Sequence, residues 1–302
     1  MTIGRSVRIH LKNSLSYIVR SMLVFFLIPF CSHVTESLPL VSDSAAAASV
    51  SAQNDSSIIW PGEDLLYEVS YAGIPLGRIR VRTQNSDTLH GLIFHHASAF
   101  VDSYEGIPFV DIHVIDSTHM DTVFYSKGFH SLEWRDDKWF EEASHYDLSN
   151  HRIIVWKSYH RDPYSPDEAP RTYDTVSNVL DGVQDGLSLF FFARSQVRNQ
   201  SSITVPTVVY GKQGMTEFHF ATERRLEYLD LIHDKKIRVV GLKGIAHFTG
   251  LYGMTGDFQG WFTDDEAAIP IKAQLGVFLG NVSLELIWWK RDGWVPPTAP
   301  EQ

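Results

Sequence analysis

The sequence predicts a mainly β protein, a curved antiparallel sheet or open β-barrel carrying one or two short helices. Three observations lead there. Short runs of alternating apolar and polar residues recur from Trp60 onward, separated by clusters of Gly, Pro, Asn and Asp. Only Gly186–Val197 carries apolar residues at clear helical spacing. No linker interrupts residues 60–292, so they read as one unit of about 230 residues, a size all-β domains reach. Composition agrees: 44% hydrophobic with 13% aromatic residues supplies a core, and 21% charged residues a solvated surface.

The first 31 residues hold Arg5, Arg8, Lys12, Arg20 and no acid, and end in the apolar run Met22–Phe30. A basic segment before a short apolar run reads as a secretory signal. The run is shorter than the ~20 residues that span a bilayer, and Pro29 interrupts it. Cys31 follows Pro29 and Phe30, not the small residues that precede a lipidated cysteine. It is also the single cysteine, which excludes a disulfide framework. Residues 32–58 are rich in Ser, Ala and Val without periodicity and read as a flexible linker. The domain is expected over 59–292, with a loose, proline-containing tail at 293–302.

Leu65–Tyr71 alternates, with Tyr67, Val69 and Tyr71 on one face. Gly73–Gly77 reads as a turn, and Leu76–Val81 and Leu92–Ala97 as further strands. Pro108 suits the first turn of a short helix running through Phe109, Ile112 and His113. Thr122–Tyr125 and Ser131–Arg135 read as strands, and Phe140–Tyr146 with Arg152–Tyr159 as a hairpin. Residues 161–173, with three prolines, read as an exposed loop. Asp185 is placed to cap the helix that follows, and Arg194 and Arg198 sit near its C-terminal end, where the dipole favours cations. Thr204–Tyr210, Thr216–Ala221, Glu223–Leu231, Arg238–Lys243, Gly256–Phe262, Ile269–Leu275 and Asn281–Trp289 complete the strands, with a turn at Thr263–Glu266.

Chemistry is sparse. A net charge of −10 disfavours nucleic acid, and loss of the first 31 residues would make it more negative. The fourteen histidines lack metal spacing; His95 and His96 are adjacent on a strand and point to opposite faces. Asp181–Gly186 lacks the alternating carboxylates and closing Glu of a calcium loop. Gly186-Leu-Ser188-Leu-Phe190 lacks the second glycine of a nucleophile elbow. Glu133, Glu141 and Glu142 beside Trp134 and Trp139 read as hairpin charges in preference to a glycosidase pair. No cofactor or metal is expected. The consecutive Phe190, Phe191 and Phe192 cover more of the helix than one buried stripe needs, so the helix is either sandwiched in the fold or lines a cavity.

Several segments in order resemble one family. Gly62-Glu63-x-Leu65-x-Tyr67-x-Val69 with Gly73 and Gly77 is similar to the opening of the bacterial DUF3108 family. Asp181–Arg194 resembles its central helix, and Gly260-Trp261-Phe262-x-Asp264-Asp265-x-x-x-Ile269-Pro270-Ile271 and Leu279–Leu286 resemble its closing signature. The resemblance implies an exported protein of the periplasm or outer-membrane periphery of a Gram-negative-type bacterium. It also implies a sheet-plus-helix plan like the open barrels of periplasmic lipoprotein carriers, and it brings no catalytic residues. The reading is a non-catalytic envelope protein that binds an apolar or lipid-like ligand beside Phe190, Phe191, Phe192, Arg194 and Trp261, with Arg194 reaching Asp264 or Asp265. The alternatives are an assembly protein acting through an envelope protein partner and, behind it, a hydrolase.

Overall fold

The computed structural model describes residues 57–299 except 108–109, 136, 162–170, 200–201, 210, 233–234, 248–253 and 278–279. The expected signal at 1–31, Cys31, linker residues 32–56 and most of the proline-containing loop lie outside the described residues. The described strands are β1 (Asp64–Tyr71), β2 (Ile74–Thr83), β3 (Asp87–Leu89), β4 (Leu92–Ser103), β5 (His113–Met120), β6 (Ser126–Arg135), β7 (Lys138–Asp147), β8 (Arg152–His160) and β9 (Thr172–Ser177). After helix α1 (Ser188–Gln196) come β10 (Ser202–Val209), β11 (Lys212–Tyr228), β12 (Lys236–His247), β13 (Met254–Thr263), β14 (Pro270–Val277) and β15 (Gly280–Lys290).

They form one antiparallel sheet in the order β10-β11-β12-β13-β14-β15-β1-β2-β4-β5-β6-β7-β8-β9, with β3 off this path and paired to β4. Nearly every neighbour is also a sequence neighbour, as short hairpin connections require. The long-range step is β15 returning beside β1, with Val69 opposite Leu284. Gly73 supplies a positive φ of 79° in the β1–β2 turn. Gly77 allows close approach, since a Cβ there would lie 2.3 Å from the Asp102 carbonyl oxygen on β4.

One face of the sheet carries α1 and the apolar core. Leu65, Val69, Ile79, Val81, Ala99 and Leu286 are among its buried residues, alternating with outward polar ones. The sheet does not close strand to strand, but it curls. Residue 184 bridges the β10 edge: its N–H donates to the Pro206 carbonyl at 2.8 Å, and the Val208 N–H donates back at 2.8 Å. The preceding Val183 carbonyl accepts the Ser126 N–H of β6 at 3.0 Å. Residues 183–184 thus strap β10 to a strand near the other end of the order, giving a barrel-like shape. Among the described residues β9 remains the open edge.

Four expectations need correction. Residues 110–112 are irregular and His113 begins β5, so no helix follows Pro108 over the described residues; the β-branched Val114, Ile115 and Thr118 favour a strand. Thr122–Tyr125 is a turn, because Asp121 Oδ1 accepts the N–H groups of Val123 and Tyr125 at 3.1 and 2.9 Å and Phe124 takes a φ of 65°. Thr216–Ala221 and Glu223–Leu231 fall mostly on one long strand, β11, with a register shift between Phe220 and Arg224 in place of a turn. The tail is docked through residue 299. Arg238 N–H donates to Pro297, Ala299 N–H donates to Lys236, and Trp294 Nε1–H donates to Asp265. Its prolines keep the chain extended and leave their carbonyls free to accept.

Candidate functional site

Helix α1 begins where the Asp185 carboxylate accepts the N–H groups of Leu187 and Ser188 at 2.8 and 2.7 Å. The capping role read from the sequence holds, with the helix starting at Ser188. Phe191 and Phe192 have no exposed surface and Phe190 is 7% exposed. Phe190 meets Tyr67 edge-on at 6.4 Å, and Phe192 stacks on Tyr125 at 6.0 Å. The void bordering Phe190, among Tyr67, Ile79, Val81, Ala273 and Leu284, has about 10 Å³ of room, enough for roughly one water. All three phenylalanines are packed into the core, and the void that Phe190 borders is water-sized. Trp261, on β13, is partly buried and packs against the same apolar cluster.

Arg194 is also buried completely, and its partner differs from the expected Asp264 or Asp265. Its Nη1 and Nη2 donate to the Glu63 carboxylate at 2.6 and 3.1 Å, and its Nη2 and Nε donate to the Ala267 carbonyl at 2.9 and 3.3 Å. Glu63 also pairs with Arg291. Asp264 instead pairs with Arg224 at 2.8 Å. Asp265 accepts from Thr263, the Ala268 N–H and Trp294, holding the turn whose Ala267 carbonyl meets Arg194. Arg194 is an anchor between helix, closing turn and the start of β1.

The inner face changes character across β5–β8. Asp116, Ser131 and Glu142 stand opposite one another on successive strands, followed by Lys157. Asp116 has no exposed surface, and neither of its oxygens has a hydrogen-bond partner of regular geometry among the described residues. Burial pushes its carboxyl well above the usual range; Ser131 opposes this, and the charges of Asp185, Glu133 and Glu142 add to it. Glu142 is also raised by burial, against the pull of Lys157 at 3.4 Å. Burial raises Asp185 too, although Ser126, Thr118 and the helix N–H groups favour its charged form. On the outer face Glu141 takes both His130 and His160, at 2.7 and 2.6 Å. Among the described residues no group of three or more His, Cys, Asp or Glu is placed to hold a metal ion.

Concave space of useful size lies on the outer face of β11–β15, in a groove of about 370 Å³. Its floor comes from register. His219 of β11 stands opposite Lys243 of β12, Lys243 opposite Gln259 of β13, and Gln259 opposite Gln274 of β14. A second row brings Ile245 opposite Asp257, and Gly276 opposite Asn281. Gly276 presents no side chain where its neighbours do, which deepens the surface there. Gln259 donates to Gln274, and His219 bonds Ser202 at 2.8 Å. Individual residues gave no signal for this groove, because it arises where four strands are aligned.

A family model described as "Protein of unknown function (DUF3108)" matches residues 66–287. No curated protein matches the chain. Among solved structures, a beta-barrel-like protein of the domain of unknown function DUF1849 from Brucella abortus is 9% identical, with a TM-score of 0.47 over 78% of this chain and 100% of that one. A candidate exported protein with a YmcC-like fold from Bacteroides fragilis is 9% identical, with a TM-score of 0.32 over 77% and 97%. A candidate lipoprotein from Parabacteroides distasonis is 8% identical, with a TM-score of 0.30 over 76% and 95%.

Proposed function

The chain belongs to the DUF3108 family, and from that premise we propose that it is a non-catalytic binding protein of the cell envelope that holds a polar ligand in the outer groove of β11–β15. The observation that carries this is the groove itself, about 370 Å³ and lined by His219, Lys243, Gln259 and Gln274 together with Ile245 and Phe258. The proposal moves the ligand away from Phe190, Phe191 and Phe192, where an apolar or lipid-like guest would have to displace packed core. Export to the periplasm or outer-membrane periphery is supported by the basic, then apolar, N-terminal segment.

A second reading, action through an envelope protein partner, is favoured by the open edge of β9, whose residues are mostly exposed and include no lysine or proline to block strand addition.

The test is native mass spectrometry of the full chain purified gently from the cell envelope, beside Gln274→Trp, which fills the groove. The proposal expects an added mass on the parent protein that the variant loses. A bare parent mass, or an added mass the variant retains, would overturn it; crosslinking to a protein at β9 would then support the partner reading.

A further inference from the structure

We infer that the groove takes an extended, polyhydroxylated chain, a β-1,4-linked hexose polymer laid across the strands. This rests on the proposal that the groove is the binding site. The ladder that places His219, Lys243, Gln259 and Gln274 side by side continues to Ser202 on β10 and Ser283 on β15. The result is one polar residue per strand over six adjacent strands. Neighbouring strands lie about 4.8 Å apart, close to the roughly 5 Å rise per ring of an extended β-1,4 glycan, so successive rings meet successive rungs.

The chemistry of the floor narrows the occupant. Its hydroxyl, amide and imidazole groups both donate and accept, as sugar hydroxyls do. A phosphate headgroup calls for clustered Arg or Lys, whereas this floor has Lys243 alone, with Asp257 beside it and Glu217 next to His219. An extended peptide recognised by strand addition needs a free sheet edge, and these strands are paired on both sides or, for β10, bridged. Ile245 and Phe258 offer apolar surface to a sugar ring face, whereas an acyl chain laid along the groove would also cover the polar rungs beside them without satisfying them.

The experiment titrates the full chain with chitotetraose, the β-1,4 tetramer of N-acetylglucosamine, by isothermal calorimetry. The monomer and inorganic phosphate serve as comparison probes. Chitotetraose is expected to bind, and the monomer at least about tenfold more weakly, since one ring reaches one or two rungs. The double variant Gln259→Ala/Gln274→Ala is expected to weaken tetramer binding about tenfold or more, because two rungs lose their hydrogen bonds, with an unchanged Tm. Lack of tetramer binding, binding the double variant leaves intact, or saturation by phosphate with the tetramer inert would each overturn the inference. The two proposals fail separately. If chitotetraose is inert while Gln274→Trp still strips the mass that co-purifies with the protein, the glycan inference falls and the groove stands. If Gln274→Trp leaves that mass in place, the groove itself falls.

Discussion

A carboxyl group with no exposed surface holds its proton more tightly than one in water. Asp116 is in that position, and the nearby charges of Asp185, Glu133 and Glu142 make ionisation harder still. Its folded-state pKa lies above the unfolded value, so the linkage has a definite sign. Below the unfolded value both states are protonated and the group costs nothing. As pH rises through the folded value the unfolded state ionises first, and stability is lost. Asp116→Asn removes the ionisation and keeps the shape. Tm measured from pH 4 to pH 8 should show the variant close to the parent in acid and increasingly more stable than the parent as the pH rises to neutral, where folding the parent requires the unfolded carboxylate to take up a proton. Parallel pH profiles for the two proteins would refute this account of Asp116. Nothing near Asp116 in the sequence announced the arrangement. The residues just before it, Phe109, Ile112 and His113, read as part of a short helix starting at Pro108, and the acids that surround it come from other strands and from the turn before α1.

At the scale of an element, α1 shows which parts of a site local sequence carries. The helix, its Asp185 cap and its aromatic content follow from residues a few positions apart, and the structure keeps all three. The partner of Arg194 does not follow, because Glu63 lies 131 positions away and nothing local marks it. Asp264 and Asp265 were the conspicuous carboxylates, and each is engaged elsewhere in the turn. Thr122–Tyr125 teaches the same lesson in reverse: β-propensity there yields to a single carboxylate, Asp121, that satisfies two backbone amides. The Arg194 pairing has a direct test. Breaking a fully buried ion pair costs about 3–5 kcal/mol, so Arg194→Ala should lower Tm by about 6–20 °C in a domain of this size. Glu63→Ala should cost at least as much, since it strands both Arg194 and Arg291. Asp264→Ala breaks a partly exposed pair with Arg224 and should cost about 0–1 kcal/mol. If Asp264→Ala destabilised as much as Arg194→Ala, the assignment of Glu63 would be wrong.

At the scale of the whole molecule, the meander was legible because each hairpin joins strands that are close in sequence; alternation and turn residues suffice to read it. Its curl was not legible. It depends on residues 183–184, which look like a turn before a helix and act as a strap joining β10 to β6. The groove was hidden for a related reason: its rungs lie at 219, 243, 259 and 274, spaced by hairpin lengths that no motif encodes. This arrangement makes the two ends of the strand order unequal. The β10 end has a second partner in residue 184, whereas among the described residues β9 pairs with β8 alone. Local opening follows the number of partners that must be given up, so the ends should differ in hydrogen exchange. The Val208 amide, which donates to the Gln184 carbonyl, should be protected far better than the amides of Tyr173 and Val176 on β9, and the amides of β1 and β2, flanked on both sides, better than either. Exchange at Val208 as fast as on β9 would mean that the strap does not hold β10 in solution, and the curled shape would then have to rest on α1 and its Glu63 anchor alone.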